Sequence, residues 1–101
     1  MGALEIHSWE LEHQIFTPGC IIDMRSAEQY SRGHIPGSHN VPYESFQVDA
    51  ESVVNEGDTV LVVDEGGARA AEMAVWIRGR GFDGRYLSGG MGSWRGTLES
   101  S

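Results

Sequence analysis

The chain has 101 residues and a mass of 11.1 kDa, which allows one hydrophobic core and excludes a second. Its composition, 40% hydrophobic and 22% charged, excludes a disordered chain. The net charge of −8 argues against binding to nucleic acid or to an anionic membrane surface.

The cysteine content limits the chemistry that the chain can perform. Cys20 is the single cysteine, so the sequence excludes an internal disulfide, a cysteine zinc cage and a CxxC redox pair. The apolar runs are too short for a transmembrane helix, and Met1–Ile6 lacks the pattern of a secretory signal. We therefore expect a cytoplasmic, cofactor-free protein with one domain over residues 1–101, which is either complete or cut from a longer chain.

The first part of the chain alternates short apolar runs with helix-forming stretches. Leu4–Ile6 predicts a weak strand, and residues 8–16 predict a helix with Ser8 as its N-cap. Cys20–Ile22 is a short apolar strand that ends at Asp23. Ser26–Arg32 predicts a second helix, which Ser26 caps and the following glycine ends.

The middle of the chain contains the strongest strand signal. His34–Val41 predicts a loop that leads into a short strand, and Pro42–Gln47 predicts a short helix. Thr59–Val63 consists only of apolar or β-branched residues, which is typical of a central strand buried on both faces.

The last part of the chain contains the strongest helix signal. Ala68–Arg80 carries one apolar stripe at helical spacing, formed by Ala70, Met73, Ala74 and Ile77. Arg85–Leu87 predicts a final strand, and Met91–Trp94 a final helical turn. This strand–helix alternation predicts an α/β fold with a largely parallel sheet, in which ligands bind beyond the carboxyl ends of the strands.

One loop lies where that rule places a ligand. Asp64-Glu65-Gly66-Gly67-Ala68-Arg69 joins the predicted central strand to the best helix. Its two glycines allow several N–H groups to point inward at a helix N-terminus, and Arg69 is positioned to close the ring, a shape that suits an anion. The alternative interpretation is a tight strand–helix connection in which Asp64 caps the helix.

Motifs on either side of this loop, in this order, resemble the rhodanese homology domain. Ile22-Asp23-Met24-Arg25 and Gly33-His34-Ile35-Pro36-Gly37-Ser38 precede the loop, and Leu87-Ser88-Gly89-Gly90 with Trp94 follows it. The likeness extends from about Leu4 to Trp94. It implies a five-stranded, mostly parallel sheet with helices on both faces.

The resemblance also implies an activity and identifies a departure from it. Active members are sulfurtransferases, in which a cysteine directly after the central strand carries a persulfide and an arginine follows five positions later. Arg69 fills the arginine position, whereas Asp64 fills that of the cysteine. A carboxylate cannot form an S–S bond, and it repels an anionic sulfur donor by roughly 4 kcal/mol at 4 Å.

The family pattern therefore implies a non-catalytic domain that binds or regulates through the loop face, residues 64–69. Its partner would be an unidentified protein, with an active sulfurtransferase or a sulfur carrier as candidates, and we expect a bacterial protein of sulfur metabolism. Two alternatives remain open: a weak sulfurtransferase that depends on Cys20, and a small-anion sensor that uses the loop amides and Arg69. Phosphatases of this fold have a loop one residue longer, so the loop here has the sulfurtransferase length. We expect Cys20 itself to be buried and inert.

Several other residues could carry chemistry. The resemblance makes Asp23 and Arg25 a pair that braces the loop, although an ordinary ion pair is the alternative. His34 and His39 lack a third metal ligand, so we predict hydrogen bonding for His34, exposure for His39 and no metal site. An acidic stretch predicts either a solvated face or contact with a basic partner; its members are Glu44, Asp49, Glu51, Glu56 and Asp58.

Overall fold

The computed structural model describes residues 3–100, so Met1, Gly2 and Ser101 of the predicted 1–101 domain lie outside the described residues. Five strands form one sheet in the order β1-β5-β4-β2-β3, and every neighbouring pair is parallel. The predicted α/β fold with its mostly parallel five-stranded sheet is confirmed. The strands are β1 (Glu5–Ile6), β2 (Cys20–Asp23), β3 (His39–Asn40), β4 (Thr59–Val63) and β5 (Asp83–Leu87).

The described residues also form four α-helices and three short 3-10 turns, the last of which follows β5. The helices are α1 (Ser8–Glu12), α2 (Ala27–Arg32), α3 (Phe46–Asp49) and α4 (Ala68–Gly79). The 3-10 turns span Tyr43–Ser45, Ala50–Val53 and Gly90–Ser93. Both α2 and α4 agree with the prediction to within one residue at each end, because a capping box begins α2 and an apolar stripe defines α4.

The core lies on both faces of the sheet. Val60 and Val62 of β4 face one apolar cluster, with Phe46 of α3 and the buried stripe of α4. Leu61 and Val63 face a second, smaller cluster. All four of these β4 residues are fully buried, which confirms that Thr59–Val63 is the central strand.

The first helix is shorter than predicted. It ends at Glu12 and not at Phe16, because Gln14 adopts a φ of +58°, which a right-handed helix cannot contain. Ser8 is the first helical residue and not the cap. Its hydroxyl donates to the Glu12 carboxylate and accepts the N–H of Arg95, so it joins the helix to the end of the chain.

Two other predicted boundaries were wrong. Pro42–Gln47 is not one helix, because a 3-10 turn comes first and α3 begins only at Phe46. The last strand begins at Asp83, two residues before the predicted Arg85, since the backbone of Asp83 already pairs with Thr59 of β4.

The parallel arrangement brings one set of strand ends together. Asp23 ends β2, and Asp64 follows β4 directly, so both lie at the carboxyl edge of the sheet. The candidate site is built at this edge. Within residues 3–100, no helix has both the length and the apolar character needed to cross a membrane.

Candidate functional site

The carboxylate of Asp64 occupies the centre of the loop between β4 and α4. One oxygen accepts the N–H of Gly67, and the other accepts those of Arg69 and Ala70, each at 3.0 Å. Asp64 is buried, and these donors belong to the N-cap residue and the first turn of α4, where helix N–H groups lack intrahelical acceptors. The loop is therefore an anion cradle whose anion is the protein's own side chain.

Glycines give the loop this shape. Gly67 precedes α4 with a φ of +105°, a conformation that strains any residue with a side chain. Gly90, in the turn after β5, packs on the loop from outside. A Cβ on Gly90 would lie 2.5 Å from the carbonyl oxygens of Asp64 and Glu65, so the two backbones touch directly.

The Arg69 side chain does not close the ring around Asp64, contrary to the prediction. Its guanidinium carbon lies 4.4 Å from the centre of the Tyr43 ring, a cation–π contact, and it forms no ion pair with any residue among 3–100. Asp64 has no need of it, because three N–H groups already bind the carboxylate. The Tyr43 hydroxyl donates to Glu72 at 3.0 Å, and this hydrogen bond raises the pKa of Tyr43.

Asp23 and Arg25 form the predicted pair. The Arg25 guanidinium donates to both carboxylate oxygens of Asp23 and to the carbonyl of Gly33, and both side chains are at least nine-tenths buried. The pair thus ties the end of β2 to the end of α2. Its hydrogen bonds within residues 3–100 do not reach the loop, so a bracing role for the pair there stays a prediction.

A contact that the sequence did not suggest joins α2 to the loop. The Gln29 side-chain nitrogen donates to the Glu65 carboxylate at 2.8 Å, while the amide oxygen of Gln29 accepts the backbone N–H of Ser26. The capping box at Ser26 was the available signal, because it placed Gln29 in the first turn of α2, near the carboxyl edge of the sheet.

A cavity of about 410 Å³ lies between these elements. It brings together Arg25 of the predicted pair and the whole predicted loop except Gly67, which does not line it. Its lining consists of Met24, Arg25, Ser26, Gln29, Tyr43, Glu44, Asp64, Glu65, Gly66, Ala68 and Arg69.

Cys20 is not part of this site. It begins β2, at the opposite edge of the sheet from Asp23, and it is buried as predicted. Its sulfur lies 3.5 Å from the carbonyl oxygen of Val53, and burial, followed by the charge of Asp58, raises the pKa of the thiol to about 11. A thiol in this environment remains protonated and a poor nucleophile.

His34 has the hydrogen bonding, and His39 the exposure, that the sequence predicted for them. His34 is buried, its Nδ1 lies 2.8 Å from the carbonyl oxygen of Tyr30, and its ring stacks on that of Tyr30. His39 is exposed. In the described part of the chain, no three potential ligands among histidine, cysteine, aspartate and glutamate lie close enough together to hold a metal ion.

The acidic stretch does not form one face. Glu51 pairs with Arg80 at 2.6 Å, and Asp58 accepts the N–H of Asn55. Glu44 lines the cavity beside the loop, apart from these two.

The sequence profile of the rhodanese-like domain matches residues 8–97. The chain belongs to the rhodanese-like domain family. A rhodanese-like domain protein from Staphylococcus aureus has the same fold, with a TM-score of 0.84 and 27% identity over 98% of this chain and 99% of that one.

Two curated relatives are named tRNA sulfurtransferases. The protein from Thermoplasma acidophilum is 39% identical over 66 residues, which is 65% of this chain and 13% of the relative. The protein from Desulfurococcus amylolyticus is 33% identical over 81 residues, 80% of this chain and 16% of the relative. The chain therefore spans less than one fifth of the length of these relatives.

Proposed function

We propose that this rhodanese-like domain is non-catalytic and acts by binding or regulating another protein through the loop face of residues 64–69. The observation that carries the proposal is the Asp64 carboxylate, which takes three backbone N–H groups of its own loop. The place where a persulfide sulfur would be held is filled by an oxygen anion that cannot form an S–S bond.

The alternative of a weak sulfurtransferase would require another thiol. The sequence contains one, Cys20, which is buried at the opposite edge of the sheet with a pKa raised to about 11. It has neither the exposure nor the thiolate character that a sulfur acceptor needs.

The alternative of a small-anion sensor would require free N–H donors and a free arginine. Asp64 takes the N–H groups of Gly67, Arg69 and Ala70, and the guanidinium of Arg69 lies on the Tyr43 ring. An incoming anion would therefore meet a carboxylate in place of the empty cradle.

The candidate partners are an active sulfurtransferase or a sulfur carrier protein, which would place the domain in sulfur metabolism. Two relatives named tRNA sulfurtransferases contain a matching segment within much longer chains, which supports such an association. The net charge of −8 opposes direct contact with RNA or with an anionic membrane. We further propose that residues 1–101 work as one domain in the reducing cytoplasm, where a lone thiol stays reduced.

A thiosulfate:cyanide sulfurtransferase assay tests the proposal. We expect no thiocyanate from the native protein and measurable thiocyanate from Asp64→Cys, with Asp64→Ser as the thiol-free control. Thiocyanate from the native protein that disappears in Cys20→Ser would overturn the proposal. Inactivity of both the native protein and a folded Asp64→Cys variant would mean that the loop has also lost the shape that receives an anionic sulfur donor, which favours a scaffold role.

A further inference from the structure

The cavity beside the loop has the shape of a side-chain pocket. Its volume of about 410 Å³ falls within the range of small-ligand sites. Its lining includes the buried Met24, the methyl group of Ala68 and the ring of Tyr43, which are surfaces suited to the methylene stem of a long side chain.

The charges around this cavity are predominantly negative. Two guanidinium groups line it, those of Arg25 and Arg69. Five carboxylates line the cavity or bond directly to a residue that lines it. Together with the two guanidinium groups they give a net charge of −3. They belong to Asp23, Glu44, Asp64, Glu65 and Glu72.

Among the described residues, two carboxylates that line the cavity have neither a basic partner nor backbone N–H donors for their side chains. Asp23 is neutralised by Arg25, and Asp64 is bound by three N–H groups. Glu65, by contrast, is exposed, and among the described residues its carboxylate accepts only from the neutral Gln29 amide. Glu44 is exposed too, and within residues 3–100 it forms no ion pair.

We propose that the cavity accepts an arginine side chain from an extended segment of a partner protein. The guanidinium would pair with Glu44 and Glu65, and the methylene groups of the same side chain would lie against Met24 and Ala68. Arginine suits this position because its planar fork matches carboxylates with two hydrogen bonds each. The inference rests on the proposed binding function and names the chemistry of the partner.

A titration of the ¹⁵N-labelled native protein tests the inference. The probe is the peptide acetyl-Gly-Gly-Arg-Gly-Gly-amide, and the matched control carries citrulline, which has nearly the same shape without the charge. We expect the arginine peptide to shift the amide signals of Glu44, Glu65 and Gly66. The citrulline peptide should bind at least about fivefold more weakly. Equal binding of both peptides, or no shift with either, would overturn the inference.

Charge variants give a second readout. Glu44→Gln and Glu65→Gln should each weaken binding of the arginine peptide by about two- to fivefold, and the glutamine at 65 can still bond to Gln29. Glu56→Gln is the matched control, because it removes the same exposed charge from the turn before β4, at the opposite edge of the sheet. An equal loss in Glu56→Gln would show attraction to net charge alone and would overturn the inference.

The two proposals fail in different ways. Thiocyanate production by the native protein overturns the non-catalytic function whatever the peptide does. If the native protein produces no thiocyanate, and the arginine peptide causes no shift or binds no better than the citrulline peptide, the arginine pocket is overturned. The proposed non-catalytic function is then unaffected.

Discussion

Asp64 reaches six residues along the chain to accept the N–H of Ala70 at 3.0 Å. The same oxygen accepts the N–H of Arg69, so one carboxylate joins the end of β4 to the first turn of α4. The side chain that occupies the cysteine position of the family pattern is therefore also the cap of the longest described helix.

Replacing this carboxylate should destabilise the fold. In Asp64→Asn only the amide oxygen can accept, so at least one of the three N–H groups loses its partner. We expect the free energy of unfolding to fall by about 1–2 kcal/mol in urea titrations. Asp49→Asn, at an exposed α3 residue, is the control and should be nearly neutral. Equal stability of the two variants would contradict the capping role.

The close packing of Gly90 on the loop predicts a second effect. In Gly90→Ala the new Cβ would overlap the carbonyl oxygens of Asp64 and Glu65, at a residue with a φ of +59°. We expect a loss of about 1–3 kcal/mol, measured by thermal unfolding. Gly66→Ala is the control in the same loop, since its Cβ would meet no atom within 4 Å. A Gly90→Ala protein as stable as the Gly66→Ala protein would show that the two segments do not touch.

The buried pair of Asp23 and Arg25 predicts a third effect. Arg25→Met leaves the Asp23 carboxylate buried without its counter-charge, so we expect a loss of about 3–5 kcal/mol in urea titrations. The same substitution at Arg32 removes an exposed pair with Glu28 and should cost less than about 1 kcal/mol. Similar losses in both variants would mean that the Asp23 pair is not shielded from solvent.

Burial of Cys20 predicts low reactivity. At about pH 8 the native protein should resist alkylation by iodoacetamide, whereas the urea-unfolded protein should react readily, as mass spectrometry can show. Equal labelling of folded and unfolded protein would contradict the inert role.

The same thiol predicts a change of stability in alkali. Folding raises the pKa of Cys20 from its ordinary value of 9.0 to about 11, so the folded state holds its proton more tightly. This contribution is complete below about pH 9 and is lost as the pH rises toward 11. Relative to Cys20→Ala, the native protein should therefore lose unfolding free energy across that interval. Parallel pH curves for the two proteins would exclude the effect.

Local patterns were enough to predict the sheet and its two best helices. The β-branched run Thr59–Val63 and the apolar stripe of α4 each depend on neighbours in sequence, as does the Ser26 capping box. The end of α1 was missed because Gln14 takes a left-handed conformation that its residue type does not require. Boundaries of this kind depend on tertiary contacts more than on propensity.

The site was only partly predictable for a related reason. The capping of α4 by Asp64 joins residues three to six apart, and the sequence already offered it as an interpretation. The stacking of Arg69 on Tyr43 joins residues 26 apart, and the bond between Gln29 and Glu65 joins residues 36 apart. Only the parallel order of β2 beside β4 brings these segments together, so no local pattern could indicate which side chains would meet.

The backbone contact of Gly90 with Asp64 and Glu65 means that the path of the loop backbone does not depend on the Asp64 side chain alone. Because the segment after β5 packs on carbonyl groups of the loop, and the N–H of Met91 donates to the Asp64 carbonyl at 2.8 Å, contacts from outside the loop help to set its curvature. We therefore expect the surrounding backbone to keep its path when a different side chain is placed at position 64. If Asp64→Cys yields thiocyanate, the same backbone would serve a reactive protein or a recognition protein, and a change at a single residue would exchange them.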